Sequence, residues 1–181
     1  MAKVAVFMAN GVEECEALIV VDLLRRAGEE VCMVSINETP EVEGSHAIKI
    51  GTDAVIAGLD FDAFDMLILP GGMPGTKHLE ACEPLTKAVL AFDAKKKPIG
   101  AICAAPGVFG RLGILKGRKA CSYPGCLDAS MGCEISEDKV VVSDHITTSR
   151  GMGTAIDFGL AIIARFEGQA ASDAMAEKIV Y

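Results

Sequence analysis

Lys3 to Met8 is almost wholly apolar with only weak alternation, as a strand covered on both faces should be, and it runs into the turn signal Asn10-Gly11. The next segment, Glu13 to Gly28, opens with Glu13, Glu14 and Glu16, closes with Arg25 and Arg26 and stops at a glycine, an order that suits the helix dipole at both ends. Glu30 to Ile36 predicts a second strand, and Val42 to Ile50, broken at Glu43-Gly44-Ser45, predicts a small hairpin beside the sheet. Asp65 to Leu69 predicts a third strand, ending in Pro70-Gly71-Gly72-Met73-Pro74-Gly75. A helix over Leu79 to Lys95 follows, then a strand over Pro98 to Ile102 and a helix over Ala104 to Leu112.

Beyond Gly113 the pattern loosens. Lys119 to Ser122 reads as a short strand before Tyr123-Pro124, and Leu127 to Ile135 as irregular chain or a brief helical turn. Lys139 to Ser143 and Ile146 to Ser149 are two strand candidates split by Asp144-His145. An apolar helix over Thr154 to Phe166 and a more polar one over Ala170 to Ile179 close the chain. Strands alternating with helices imply an α/β protein with a doubly wound, mostly parallel sheet sandwiched by helices, with ligands expected at the carboxyl ends of the strands.

The 181 residues are most economically one domain, spanning residues 1–181. With 51% hydrophobic residues, few aromatics and 19 glycines, they suit a tightly turned α/β fold. A formal net charge of −8 argues against nucleic acid as a partner, because phosphate-backbone binding needs basic patches. The apolar start is too short for a signal peptide, and no stretch is long enough to span a bilayer. Seven cysteines with no Cys-x-x-Cys pair predict reduced thiols in a cytoplasmic protein.

One of those thiols stands apart. Between the strand ending at Ile102 and the helix beginning at Ala104, Cys103 has no loop residue to spare, so the turn must be sharp, and Gly100, Ala101, Ala104 and Ala105 are small enough to permit it. A thiol at a helix start is expected to have its pKa lowered to roughly 4–7. The acidic turn after the first strand and the glycine turn after the third should lie at the same sheet edge. One of Glu13, Glu14 and Glu16 can face the sulfur while the others serve the dipole, and a buried, protonated carboxyl would donate to a thiolate. Gly71 and Gly72 either merely let the strand reverse or, with Ala104, offer backbone N–H groups to an oxyanion. The glycines do not form the dinucleotide fingerprint, and no phosphate loop is present. His78 and Cys82 make too small a set for a metal, Asp144-His145 is a candidate for completing a Cys-His-Asp relay, and Cys121, Cys126 and Cys133 read as peripheral thiols.

Gly11-Val12-Glu13-Glu14-Cys15-Glu16, Leu69-Pro70-Gly71-Gly72, Ala101-Ile102-Cys103-Ala104-Ala105-Pro106 and Thr148-Ser149-Arg150-Gly151-Met152-Gly153-Thr154-Ala155 together resemble the ThiJ/PfpI superfamily, and within it the Parkinson-disease-associated, glyoxalase III-like protein deglycase branch. The resemblance runs from Lys3 to about Gly168 and implies a flavodoxin-like sandwich, a homodimer and no metal or organic cofactor. It implies that Cys103 is an oxidisable nucleophile, Glu16 the protonated acid beside it, and Gly72 and Ala104 backbone donors. The implied activities are glutathione-independent conversion of 2-oxoaldehydes such as methylglyoxal to lactate, deglycation of protein adducts, or oxidative-stress sensing and chaperoning through Cys103. Two departures bear on this. Tyr123 stands where animal members place a histidine near the cysteine, which leaves it as a group that shapes the substrate site. Ala104 stands where the protease-like branch has a histidine, which argues against peptidase activity.

Overall fold

In the computed structural model, which describes residues 1–181, the chain runs β1 (Lys3–Met8), α1 (Glu14–Arg26), β2 (Glu30–Ser35), β3 (Glu41–Glu43), β4 (Lys49–Gly51), β5 (Ala54–Val55), β6 (Met66–Leu69), α2 (Gly75–Ala81), α3 (Glu83–Ala94), β7 (Ile99–Ile102), α4 (Pro106–Arg111), β8 (Lys119–Ala120), β9 (Glu134–Ile135), β10 (Val140–Ser143), β11 (Ile146–Ser149), α5 (Ala155–Glu167) and α6 (Gln169–Lys178). Seven strands form one sheet in the order β10-β11-β7-β6-β1-β2-β5. All its pairings are parallel except β10 with β11, a hairpin in which Val140 faces Ser149 and Ser143 faces Ile146. Asp144 makes that turn in the left-handed region at φ 58°, a conformation aspartate tolerates better than most residues.

Strand alternation divides the interior into two cores. Ala5, Phe7, Leu67, Leu69, Ile99 and Ala101 meet Leu79, Leu85, Val89 and Phe92 of α2 and α3 and Val108 and Phe109 of α4. Val4, Val6, Met8, Met66, Ile68 and Ile102 meet Val20, Val21 and Leu24 of α1 and Phe158, Ile162 and Ile163 of α5. The central strands are buried on both faces, which is why their sequences run apolar without clear alternation. Gly100 allows β7 to approach the second layer: a Cβ there would stand 2.8 Å from Cε of Met66 and 3.1 Å from Cζ of Phe158.

Some element boundaries differ from those read in the sequence. The helix expected over Leu79 to Lys95 is two helices, broken at Cys82, whose ψ of 92° is extended. Pro84 in the first turn of α3 explains the break, since a proline cannot follow a continuous helical turn without clashing with it. The helix expected from Ala104 starts at Pro106, because i→i+3 bonds from Ala105 to Ile102 (3.1 Å), Gly107 to Ala104 (3.1 Å) and Val108 to Ala105 (2.9 Å) take up the corner. The two-residue strands β5, paired to β2, and β9, paired to β8 where irregular chain or a helical turn was expected, have no counterpart in the sequence reading, as so short a pairing leaves no periodic trace. No helix is long and apolar enough to cross a membrane.

Candidate active site

β1, β6 and β7 end at the same edge of the sheet, and the three segments that follow them converge there. Cys103 leaves β7 at φ 64°, in the left-handed region that a residue with a Cβ occupies only under strain. The strain is held by hydrogen bonds on both sides: Cys103 N–H donates to Ser149 O at 3.0 Å, and Tyr123 N–H donates to Cys103 O at 2.8 Å. The expected sharp elbow is therefore present, and its thiol is part-exposed at the sheet edge.

Glu16, in the first turn of α1, is the acid that reaches the sulfur. Its side chain is buried (1% exposed), accepts from Gly71 N–H at 3.0 Å, and faces the Cys103 thiol and the Met152 backbone. Glu13 caps the helix instead, accepting Glu16 N–H on Oε2 at 2.6 Å. Glu14 is buried but turned toward the β3–β4 hairpin, where Oε1 accepts His46 N–H at 2.7 Å and Oε2 meets His46 Nδ1 at 2.8 Å. Burial alone would raise the Glu14 carboxyl, but His46 holds it down at about 2.

The two glycines have different tasks. Gly71 N–H is committed to Glu16, so of the pair only Gly72 is left to donate toward the sulfur, together with Ala104. Gly72 has φ 93°, and a Cβ on it would collide with the backbone of Glu13 and Gly11. A Cβ on Gly71 would stand 2.5 Å from Cys103 Cβ and 2.6 Å from Glu16 Oε2. Gly71→Ala is accordingly expected to displace Glu16 from the sulfur and to destabilise the fold by about 1–3 kcal/mol, the usual scale of overpacking, measured by urea unfolding.

The electrostatics of the pair correct one expectation. Burial, with a lesser contribution from the Glu13 charge, pushes Glu16 up to about 7. Burial also pushes the Cys103 thiol up, to about 12, with the Glu16 charge and its hydrogen bond adding to the rise and the N–H groups of Gly72 and Ala104 opposing it. The lowered thiol pKa expected at a helix start does not arise, because α4 is six residues long and begins three residues after Cys103 while the nearest ionisable group is a carboxyl. In this arrangement the thiol keeps its proton and the carboxyl beside it gains or loses one near neutral pH.

The remaining candidates lie elsewhere. His145 precedes β11, and its carbonyl accepts from Ile99 at the opposite end of β7, so four residues of extended chain, about 13 Å, separate it from Cys103. It is buried between Asp93 (2.8 Å) and Asp144 (3.2 Å) and makes no relay with the thiol. His78 Nδ1 bonds Asn10 O at 2.9 Å. Tyr123 is 55% exposed and sits beside the site through its backbone bond to Cys103. The sequence reading quoted Thr148 to Ala155 for its resemblance but gave the loop after β11 no role in the site. Thr154 Oγ1 accepts from Arg150 N–H (3.2 Å) and Gly151 N–H (3.1 Å), which holds the turn that presents the Met152 backbone to Glu16. The signal available was its position: it follows the strand that pairs with β7, at the same edge.

A doubly wound sheet whose carboxyl edge carries a strained cysteine elbow against a buried glutamate defines a class of α/β proteins built around one thiol. The sequence profile described as DJ-1/PfpI family matches residues 2–165, and the chain belongs to that family. It is 36% identical over 169 residues to Protein DJ-1 homolog B of Arabidopsis thaliana, a match covering 92% of this chain but only 39% of that longer protein. It is 35% identical over 160 residues to the glutathione-independent glyoxalase DJR-1.2 of Caenorhabditis elegans, covering 86% of this chain and 83% of that one. Among solved structures, oxidized DJ-1 of Toxoplasma gondii superposes with a TM-score of 0.93 at 34% identity over 100% of this chain and 99% of that one, which agrees with the expected flavodoxin-like fold.

Proposed function

We propose that the chain is a cytoplasmic, cofactor-independent cysteine enzyme that converts 2-oxoaldehydes to 2-hydroxy acids, methylglyoxal to lactate, and that can remove the same aldehydes from glycated amines or thiols. The observation that carries this reading is the buried Glu16 carboxyl set against the Cys103 thiol at its strained elbow: a Cβ built on Gly71 would stand 2.6 Å from Glu16 Oε2 and 3.0 Å from Cys103 Sγ. In the first step sulfur attacks the aldehyde carbon while the thiol proton passes by way of Glu16 to the aldehyde oxygen, which gives a hemithioacetal and leaves Glu16 as the carboxylate. The carboxylate then removes the hydrogen on that carbon and returns it to the neighbouring carbonyl carbon, while the hemithioacetal hydroxyl proton moves to the ketone oxygen, leaving a 2-hydroxy thioester. Water cleaves the thioester, releasing the 2-hydroxy acid and restoring the thiol. The net change is addition of one water, with no outside oxidant or reductant. A carboxyl at about 7 is well matched to both directions of proton transfer at neutral pH. The N–H groups of Gly72 and Ala104 are in place to stabilise negative charge as it develops beside the sulfur. Tyr123 shapes the entrance.

The relative named a glutathione-independent glyoxalase supports this class of reaction. A second copy of the chain is the proposed partner. A second functional reading has its own support: the donors that would hold an oxyanion also suit the oxygens of an oxidised sulfur, and the Toxoplasma neighbour is described as oxidized. Steady-state lactate production from methylglyoxal, with metal and glutathione removed, separates the two. Many turnovers per chain are expected; one equivalent or none would make Cys103 a stoichiometric sensor.

A further inference from the structure

Three large apolar side chains stand exposed around the Cys103–Glu16 pair, each tied to it through its own backbone or its neighbour's. Met73, 53% exposed, follows Gly72, whose N–H bonds the thiol. Tyr123, 55% exposed, donates its N–H to Cys103 O at 2.8 Å. Met152, 56% exposed, bonds Glu16 through its backbone. The Tyr123 ring lies against the Met152 loop: a Cβ built on Gly151 would stand 3.6 Å from Tyr123 Cδ2 and 3.9 Å from Glu16 Oε1.

Single exposed apolar side chains are ordinary on any protein, but none of these three belongs to either core layer, and all three lie on the segments that surround the same thiol. Thioethers are polarisable and adapt to irregular shapes, and a phenol ring offers a flat apolar face. The charged groups nearby are engaged elsewhere. Glu13 caps α1, Glu14 is held by His46, and the Arg150 guanidinium donates to Glu137 O at 3.2 Å. The exposed surface beside the pair is therefore largely apolar.

We infer that Met73, Tyr123 and Met152 form an apolar rim that selects the substrate, favouring 2-oxoaldehydes whose ketone carbon carries an aryl or bulky alkyl group over methylglyoxal and over hydroxylated, sugar-derived aldehydes. This rests on the proposed reaction and names the substrate class of that site. With the aldehyde carbon bonded to sulfur and its neighbour within reach of Glu16, the substituent on the ketone carbon is the part left to extend toward the mouth. A methyl group is too short to cover the exposed side chains, whereas a phenyl ring removes part of its own face and theirs from water.

Two measurements test this, one of them independent of turnover. The first is the rate of Cys103 alkylation by N-phenyliodoacetamide relative to iodoacetamide, located by peptide mapping and divided by the same ratio for glutathione, so that the thiol's own ionisation cancels. An open rim should raise that ratio about five- to tenfold, at the low end of what apolar pockets achieve in discrimination. Met73→Gln with Met152→Gln should return it to the glutathione value. Should the double variant fail to fold by circular dichroism, either single substitution should lower the ratio. The second is kcat/KM for phenylglyoxal over methylglyoxal, expected at about tenfold in the parent, carried by KM and reduced in the same variants. A parent alkylation ratio equal to that of glutathione, or one unmoved by the substitutions, overturns the rim. A raised alkylation ratio with no turnover of either aldehyde keeps the rim and refutes the proposed reaction. Equal kcat/KM for both aldehydes refutes the rim's role in selection and leaves the reaction standing.

Discussion

Glu16→Gln is expected to be more stable than the parent above pH 7 and almost inactive. The Glu16 carboxyl sits at about 7 in the fold against an ordinary 4.5. Between those values the unfolded chain releases its proton while the folded one keeps it, so stability falls as pH rises, by about 1.4 kcal/mol for each unit. The loss is absent below pH 4.5, grows through that window and levels off above pH 7 at about 3 kcal/mol. Glutamine keeps an oxygen for Gly71 N–H and cannot ionise. Its advantage should therefore be near zero at pH 4 and reach about 3 kcal/mol at pH 8, or roughly 6–12 °C in Tm for a chain of this size. Glu14 titrates alike in both proteins and drops out of the comparison. Activity should fall by about 10²–10⁴, the range for loss of a general acid or base. Urea unfolding at the two pH values, beside lactate production, checks both halves. A stability difference that does not change with pH would mean that the buried carboxyl is not raised, and a variant with full activity would remove Glu16 from the proton transfers.

Cys103→Ser should lower kcat/KM for the 2-oxoaldehyde by at least about a thousandfold with little change in stability. The hydroxyl gives up its proton far less readily than a thiol and is a weaker nucleophile beside the same carboxyl. Serine also carries a Cβ, so the backbone strain at φ 64° is inherited, and the bonds to Ser149 and Tyr123, which involve only the backbone, remain. The fold should report this as an unfolding midpoint within about 1 kcal/mol of the parent. Residual activity above a tenth of the parent's would show that the reaction does not run through sulfur.

Local chemistry was enough to place Cys103 at the corner. The short distance between an apolar strand and a run of small residues leaves that position no relaxed conformation, and the observed φ of 64° follows. The hairpin around Gly44 and the ends of α1 were legible for the same kind of reason: each depends on turn residues or end charges adjacent in the chain. The two-sided apolar strands also announced themselves, because burial on both faces removes polar positions from them directly.

Other features depend on groups far apart in sequence. Three acids at the start of α1 are equivalent by composition, and only the packing of β6 and the loop after β11 against the helix turns Glu16 to the sulfur, leaves Glu13 as the cap and gives Glu14 to His46. The thiol's ionisation is likewise tertiary. A helix start argues for a lowered pKa, but burial and a carboxyl contributed from residue 16 argue the other way and win, because desolvation and a facing charge outweigh a six-residue helix. The direction of β11 sent His145 to the far end of the sheet, since residues split by a hairpin turn can stand at either edge until the strand pairing is known. Periodicity along the chain thus determined the layers of the fold and the strained cysteine. Which groups surround that cysteine was decided by contacts across 20 to more than 80 residues, which no local pattern encodes.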